Sequence, residues 1–136
     1  MQLDPTAFIA DPELVEALAK RATPIACNSE RVLFRQGDEP AGLYILQSGR
    51  ATVSMLSHAG VPVVSFETSS GSLLGLPGVI SGQPYTLTAI AQAGAQVCFL
   101  SQDQFKSFMQ SFPLMGFKIL QVLAAEVSAA RRAISA

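Results

Sequence analysis

Between Thr68 and Gln102 the chain carries no Asp, Glu, Lys or Arg, yet its middle is laid out like a loop that closes around something small. It reads Gly71-Ser72-Leu73-Leu74-Gly75-Leu76-Pro77-Gly78-Val79-Ile80-Ser81-Gly82-Gln83-Pro84-Tyr85-Thr86-Leu87-Thr88-Ala89. Closely spaced glycines let backbone bend and approach a ligand. The short apolar turn and the Tyr-Thr pair after it would supply walls and hydroxyls, while the missing charges limit what could be held. Other chemistry-bearing residues are sparse. His58, the one histidine, falls in the turn Ser57-His58-Ala59-Gly60 and reads as a solvated loop side chain rather than a metal ligand. Cys27 and Cys98 are isolated in apolar segments and read as small buried hydrophobes, not as a disulfide framework or an iron–sulfur site. A single His without His-x-His spacing argues against metal-dependent catalysis, and the lack of a partner motif argues against Ser/His/Asp or Cys/His catalysis. No enzymatic activity, metal or cofactor is expected.

Composition narrows the class. The 136 residues are 49% hydrophobic and 14% charged, enough for one domain with a real core and too apolar for disorder. A net charge of −1 gives no global attraction to nucleic acid or acidic lipid. No apolar run is expected to span a bilayer. Met1-Gln2-Leu3-Asp4-Pro5 lacks the basic and apolar regions of a signal peptide, so cytoplasmic residence is the expectation.

The elements that must position the loop follow from periodicity. Asp11-Pro12-Glu13 is a helix start, and Leu14, Val15, Leu18 and Ala19 recur at helical spacing up to Lys20-Arg21, with Thr23-Pro24 as the stop. From Ile25 to Leu100 short apolar runs alternate with turn residues. Strands are predicted at Arg31 to Arg35, Leu43 to Leu46, Ala51 to Met55, Val61 to Phe66, Leu87 to Ala91 and Gln96 to Leu100. This spacing predicts a small antiparallel β-roll. Ser101 or Asp103 then caps a helix carrying Phe105, Phe108 and Met109. Pro113 opens a second helix with an apolar seam at Phe117, Leu120, Leu123 or Ala124, Val127, Ala130 and Ile134. Lys118, Gln121, Glu126, Ser128, Arg131 and Arg132 are expected on its polar side. The seam suits a tight helix–helix contact, with the roll or with a second subunit.

This order resembles the cyclic nucleotide-binding domain superfamily, of the cyclic-AMP receptor protein and fumarate-nitrate regulator type. The resemblance is carried by Val32-Leu33-Phe34-Arg35-Gln36-Gly37-Asp38 and Leu43-Tyr44-Ile45-Leu46-Gln47-Ser48-Gly49-Arg50-Ala51-Thr52-Val53, and extends from about Leu14 to Val127. It implies a mainly β fold with flanking helices: a jelly-roll-like antiparallel β-roll, an N-terminal helix and a C-terminal helical pair. The expected division is 1–22 for the N-terminal helix region, 23–101 for the roll and 102–136 for the C-terminal helices. The family's phosphate-binding cassette falls on Gly75 to Ala89, about one residue short. Gly75 matches its glycine, but Leu76 stands where a ribose-binding Glu is expected and Tyr85 where a phosphate-binding Arg is expected; Thr86 keeps the hydroxyl. Enclosing a cyclic phosphate without its guanidinium costs about 3–5 kcal/mol, roughly two to three-and-a-half decades of affinity.

The expectation is therefore a regulatory sensor module that does not respond to cyclic AMP or cyclic GMP. Its candidate ligand-binding residues are Gly75, Leu76, Gly78, Val79, Gln83, Tyr85 and Thr86, with apolar walls from Leu73, Leu76 and Val79. Ligand binding would move a dimer helix carrying Phe117, Leu120, Leu123, Val127, Ala130 and Ile134. The expected partners are a second copy of the chain and an unidentified small molecule or none, with no nucleic acid bound by this chain alone and no membrane. The alternatives are a ligand-free interaction or dimerisation module, or the truncated sensor domain of a transcription regulator.

Overall fold

The computed structural model describes residues 3–135; Met1, Gln2 and Ala136, included above in the N-terminal region and the last helix, lie outside them. A 3-10 turn at Pro5–Phe8 precedes α1 (Pro12–Ala19). The roll follows with β1 (Thr23–Ile25), β2 (Arg31–Phe34), β3 (Gly42–Ser48), β4 (Ala51–Leu56), β5 (Pro62–Thr68) and β6 (Ser72–Leu74). A short helix, α2 (Leu76–Ser81), interrupts it before β7 (Thr88–Ala91) and β8 (Gln96–Ser101). Two helices close the chain, α3 (Gln102–Ser111) and α4 (Pro113–Ser135).

The described strands form two antiparallel four-stranded sheets, ordered β1-β8-β3-β6 and β2-β7-β4-β5. Strand β3 explains how two sheets and three outer helices share a core. Its side chains alternate between faces: Leu43 and Ile45 point to the helices, packing with Leu14, Leu18, Phe105, Phe108 and Ile119. Leu46 and Tyr44 point into the roll, with Phe34, Val53, Leu74 and Val97. A strand covered on both faces reads as a continuous apolar run rather than as alternation, which is what Leu43-Tyr44-Ile45-Leu46 is.

The helix boundaries obey local chemistry. The Asp11 carboxylate accepts from the Glu13 and Leu14 N–H groups, with Pro12 in the first turn. Lys118 of α4 reaches Asp11 Oδ2 at 3.0 Å, tying the two helices together. That hydrogen bond holds the Asp11 carboxyl below its ordinary value and raises the Lys118 ammonium. Ser101, not Asp103, caps α3, and Gln104 completes a capping box by accepting from the Ser101 N–H.

Three features depart from the sequence reading. Thr23-Pro24 does more than end a helix: it begins β1, pairing with Phe99 and Cys98, and proline is tolerated there because β1 is an edge strand. Ser72–Leu74 is a buried strand inside the glycine-rich run, paired with β3. Pro113–Ile134 is long and apolar enough to cross a membrane by length and composition, contrary to the expectation that no segment would be. Its inner face instead packs on the protein, with Ile119, Val122 and Ala129 buried.

Gly42 sits where β3 meets β8. A Cβ there would lie 2.2 Å from the Leu100 carbonyl oxygen, against backbone that cannot swing aside. Gly42→Ala should lower stability by about 1–3 kcal/mol, as overpacking does. Urea unfolding monitored by circular dichroism measures it, and an unchanged midpoint would contradict this packing.

Candidate functional site

Tyr85 organises the loop between α2 and β7. Its backbone is bonded in both directions to the turn after β2: Gly37 donates to the Tyr85 carbonyl at 2.8 Å, and Tyr85 donates to the Asp38 carbonyl at 3.0 Å. Its side chain turns inward and is 4% exposed. The hydroxyl donates to the Gly42 carbonyl at 2.6 Å and accepts from the Gly42 N–H at 3.2 Å. The ring stacks on Phe34 at a centroid distance of 4.0 Å. Burial raises the phenol above its ordinary value, the Gly42 bond opposing it.

The cassette glycines make room for this ring. Gly75, which precedes α2, has φ +92°, and a Cβ on it would stand 2.8 Å from the Tyr85 ring. At Gly78 the corresponding distance is 3.1 Å. Both glycines thus accommodate an aromatic side chain belonging to the protein itself. Leu76, in place of the expected acid, is fully buried, and Val79 and Leu73 lie with it in the helix-side core. The sequence reading had these three residues as walls of a ligand space; the structure places them in that core. Gln83 is exposed, and its N–H is taken by the Ser81 hydroxyl.

Open space lies elsewhere, between the outer rim of the cassette and α4. A cavity of about 290 Å³ is lined by Pro77 and Leu87 near the cassette, Phe8 and Leu3 from the N-terminal segment, Met55 of β4, and Leu123 of α4. Of the candidate cassette residues, only Thr86 borders it. From the predicted dimer seam, Leu123, Val127, Ala130 and Ile134 all line it.

Glu126 also lines the cavity, which the sequence reading missed by placing it on the polar side of α4. The residue is 9% exposed, and its Oε2 is buried without a hydrogen-bond partner. Desolvation drives its carboxyl up to about 8, since nothing nearby compensates a buried negative charge. The available signal was positional. Ile119, Val122, Glu126, Ala129 and Ala133 recur every three or four residues and all are buried, so an acid stands in the middle of an apolar stripe. Cys98 is also buried, its thiol pushed up to about 11 and unreactive. Among the described residues, no group of three or more His, Cys, Asp or Glu could hold a metal.

A β-roll with a glycine-bearing loop facing a long C-terminal helix is the architecture of a regulatory ligand-binding domain. The cyclic nucleotide-binding domain model matches residues 25–112, and the chain belongs to that family. The acetyltransferase Pat of Mycolicibacterium smegmatis is 31% identical over 80 residues, which make up 59% of this chain and only 24% of Pat. Among solved structures, the catabolite activator protein of Thermus thermophilus superposes with a TM-score of 0.79 at 18% identity, covering 97% of this chain and 62% of that one. The c-di-GMP-responsive global regulator CLP of Xanthomonas campestris superposes with a TM-score of 0.72 at 17% identity, covering 92% of this chain and 61% of that one. At these identities the two structures share the fold with this protein.

The buried acid has a consequence for stability. A glutamate that ionises at about 8 when folded, against an ordinary 4.5, keeps a proton in the native state that the unfolded chain has already released. The Glu126 contribution to stability should therefore fall as pH rises through that window, by at most about 1.4 kcal/mol per unit, and be constant outside it. Glu126→Gln should abolish this slope. Urea titrations of both proteins at several pH values measure it, and equal slopes would contradict the assignment.

Proposed function

We propose that this chain is a sensor module of the cyclic nucleotide-binding family that does not answer to cyclic AMP or cyclic GMP. The observation that carries the proposal is Tyr85. Its ring fills the interior of the cassette, in the position where the family resemblance calls for a phosphate-binding arginine, and its hydroxyl is committed to Gly42. Among the described residues that line the cavity beside α4 there is no cation to pair with an anion. The regulator CLP is described as responsive to c-di-GMP, so a mononucleotide is not the only signal associated with this fold.

The output is a change in how α4 seats, read by a second copy of the chain in the cytoplasm. Phe117 is 67% exposed and Ile134 71% exposed, with Leu120 and Val127 also open to solvent. Leu120, Val127 and Ile134 are seven residues apart, the repeat of a coiled-coil seam. Val127 and Ile134 border both this seam and the cavity. A molecule entering the cavity would therefore press on the residues that a partner helix would meet. The chain matches only part of its relatives' length, so what such a module would control belongs to the rest of a larger protein or to a partner. Direct contact with nucleic acid is not part of this reading.

Titration calorimetry with cyclic AMP and cyclic GMP should give no binding heat up to millimolar nucleotide; micromolar binding of either would overturn the proposal. Sedimentation equilibrium should find a dimer that Leu120→Asp with Val127→Asp converts to a monomer. A wild-type chain that stays monomeric at high concentration would remove the dimer output.

A further inference from the structure

Among the described residues that line the cavity beside α4, one is ionisable, Glu126, and one other has a polar side chain, Thr86. The other described lining residues are apolar. At ~30 Å³ per water-sized atom, 290 Å³ suits a molecule of about ten non-hydrogen atoms. Glu126 Oε2 is buried with its hydrogen-bonding capacity unused, an arrangement that is destabilising unless something external supplies a donor. We propose that this cavity takes a small, mostly apolar molecule carrying a single protonated amine, with Glu126 as its counter-ion. This rests on the sensor reading above and specifies the class of signal.

The chemistry separates three kinds of occupant. Near neutrality the carboxyl keeps its proton, so an anion would enter as an unpaired buried charge, with no cation among the described lining residues to meet it. A neutral alcohol can give Oε2 one ordinary hydrogen bond. An ammonium gives a charge-assisted bond of roughly twice the strength, in surroundings where water competes poorly. Soft and aromatic walls from Met55 and Phe8 suit a flat hydrocarbon body. Glu126 Oε2 has no hydrogen-bond partner among the described groups around it. The N-terminal turn contributes Asp4, a further acid whose own partner is Thr6 and which senses Arg132 of α4.

Because desolvation keeps the Glu126 carboxyl protonated near neutrality, pairing with an ammonium must expel that proton to solvent. Binding of an amine therefore carries a signature that binding of its neutral isostere lacks. The test is calorimetry of the full chain with 2-phenylethylamine, 2-phenylethanol and phenylacetate, each in two buffers of different ionisation enthalpy. The amine should bind most tightly and release close to one proton per molecule bound; the alcohol should bind weakly without proton release, and phenylacetate should not bind. Glu126→Gln should weaken the amine by at least ~30-fold while leaving the alcohol unchanged. Leu123→Trp, which fills the cavity, should remove both. If the alcohol or phenylacetate binds as well as the amine, and Leu123→Trp abolishes it, the amine class is wrong and the sensor cavity stands. If all three probes fail, both the amine proposal and the sensor reading of this cavity are overturned.

Discussion

The arrangement depends on one side chain being pinned. Tyr85 ties the loop between α2 and β7 to the roll, and it is fixed at both ends. Its backbone belongs to the turn after β2, and its hydroxyl to the first residue of β3. Each hydrogen bond is worth about 1 kcal/mol net, and the stack on Phe34 adds about 0.5–1.5 kcal/mol beyond area burial. More important is the asymmetry. The Gly42 N–H and carbonyl are matched by this hydroxyl in a buried position, and without it both lose a partner that water would not readily replace. Gly42 must remain glycine for packing reasons of its own, so the two constraints reinforce each other.

From this follows the shape of the site. With an aromatic ring inside the cassette, the glycines at positions 75 and 78 serve the ring, and Leu76 and Val79 close into the helix-side core. A cavity lies outward, under α4, where the described lining residues are apolar but for Thr86 and one acid, Glu126. In the proposed reading, that buried carboxyl with an unused oxygen would favour a donor over an anion. The same helix carries the acid on one side and an exposed apolar stripe on another, with Val127 and Ile134 common to both. In the proposed function, occupancy and association would be coupled by these shared residues, without a long relay through the roll.

Much of the fold was legible because its signals are local. Proline after an aspartate, serine three residues before a glutamine, and turn glycines between short apolar runs each fix a boundary through backbone chemistry. The strands β2, β3, β4, β5, β7 and β8 fall within two residues of their predicted limits. The pieces that escaped are those whose identity depends on a distant partner. Ser72–Leu74 is a strand because β3 lies beside it, and Thr23–Ile25 because β8 does. That Leu76 and Tyr85 stand where the resemblance calls for polar cassette residues was visible in the sequence, but the packing of these side chains was not. Leu76 and Tyr85 could equally have lined an empty apolar pocket, and only the bond to Gly42, 43 residues away, decides between lining and filling. Glu126 was misplaced because its charge was read as a mark of the polar side, whereas its spacing from Ile119, Val122, Ala129 and Ala133 puts it on the buried face of α4.

The claim on which the rest turns is that the Tyr85 hydroxyl is a structural part of the interior. The most direct measurement is the unfolding free energy of Tyr85→Phe, which removes one oxygen and leaves the ring in place. A loss of about 1–3 kcal/mol with native circular dichroism is predicted, because it strips a partner from both buried backbone groups of Gly42. A variant as stable as the wild type would mean that the hydroxyl faces solvent or ligand space, and the filled cassette would have to be abandoned.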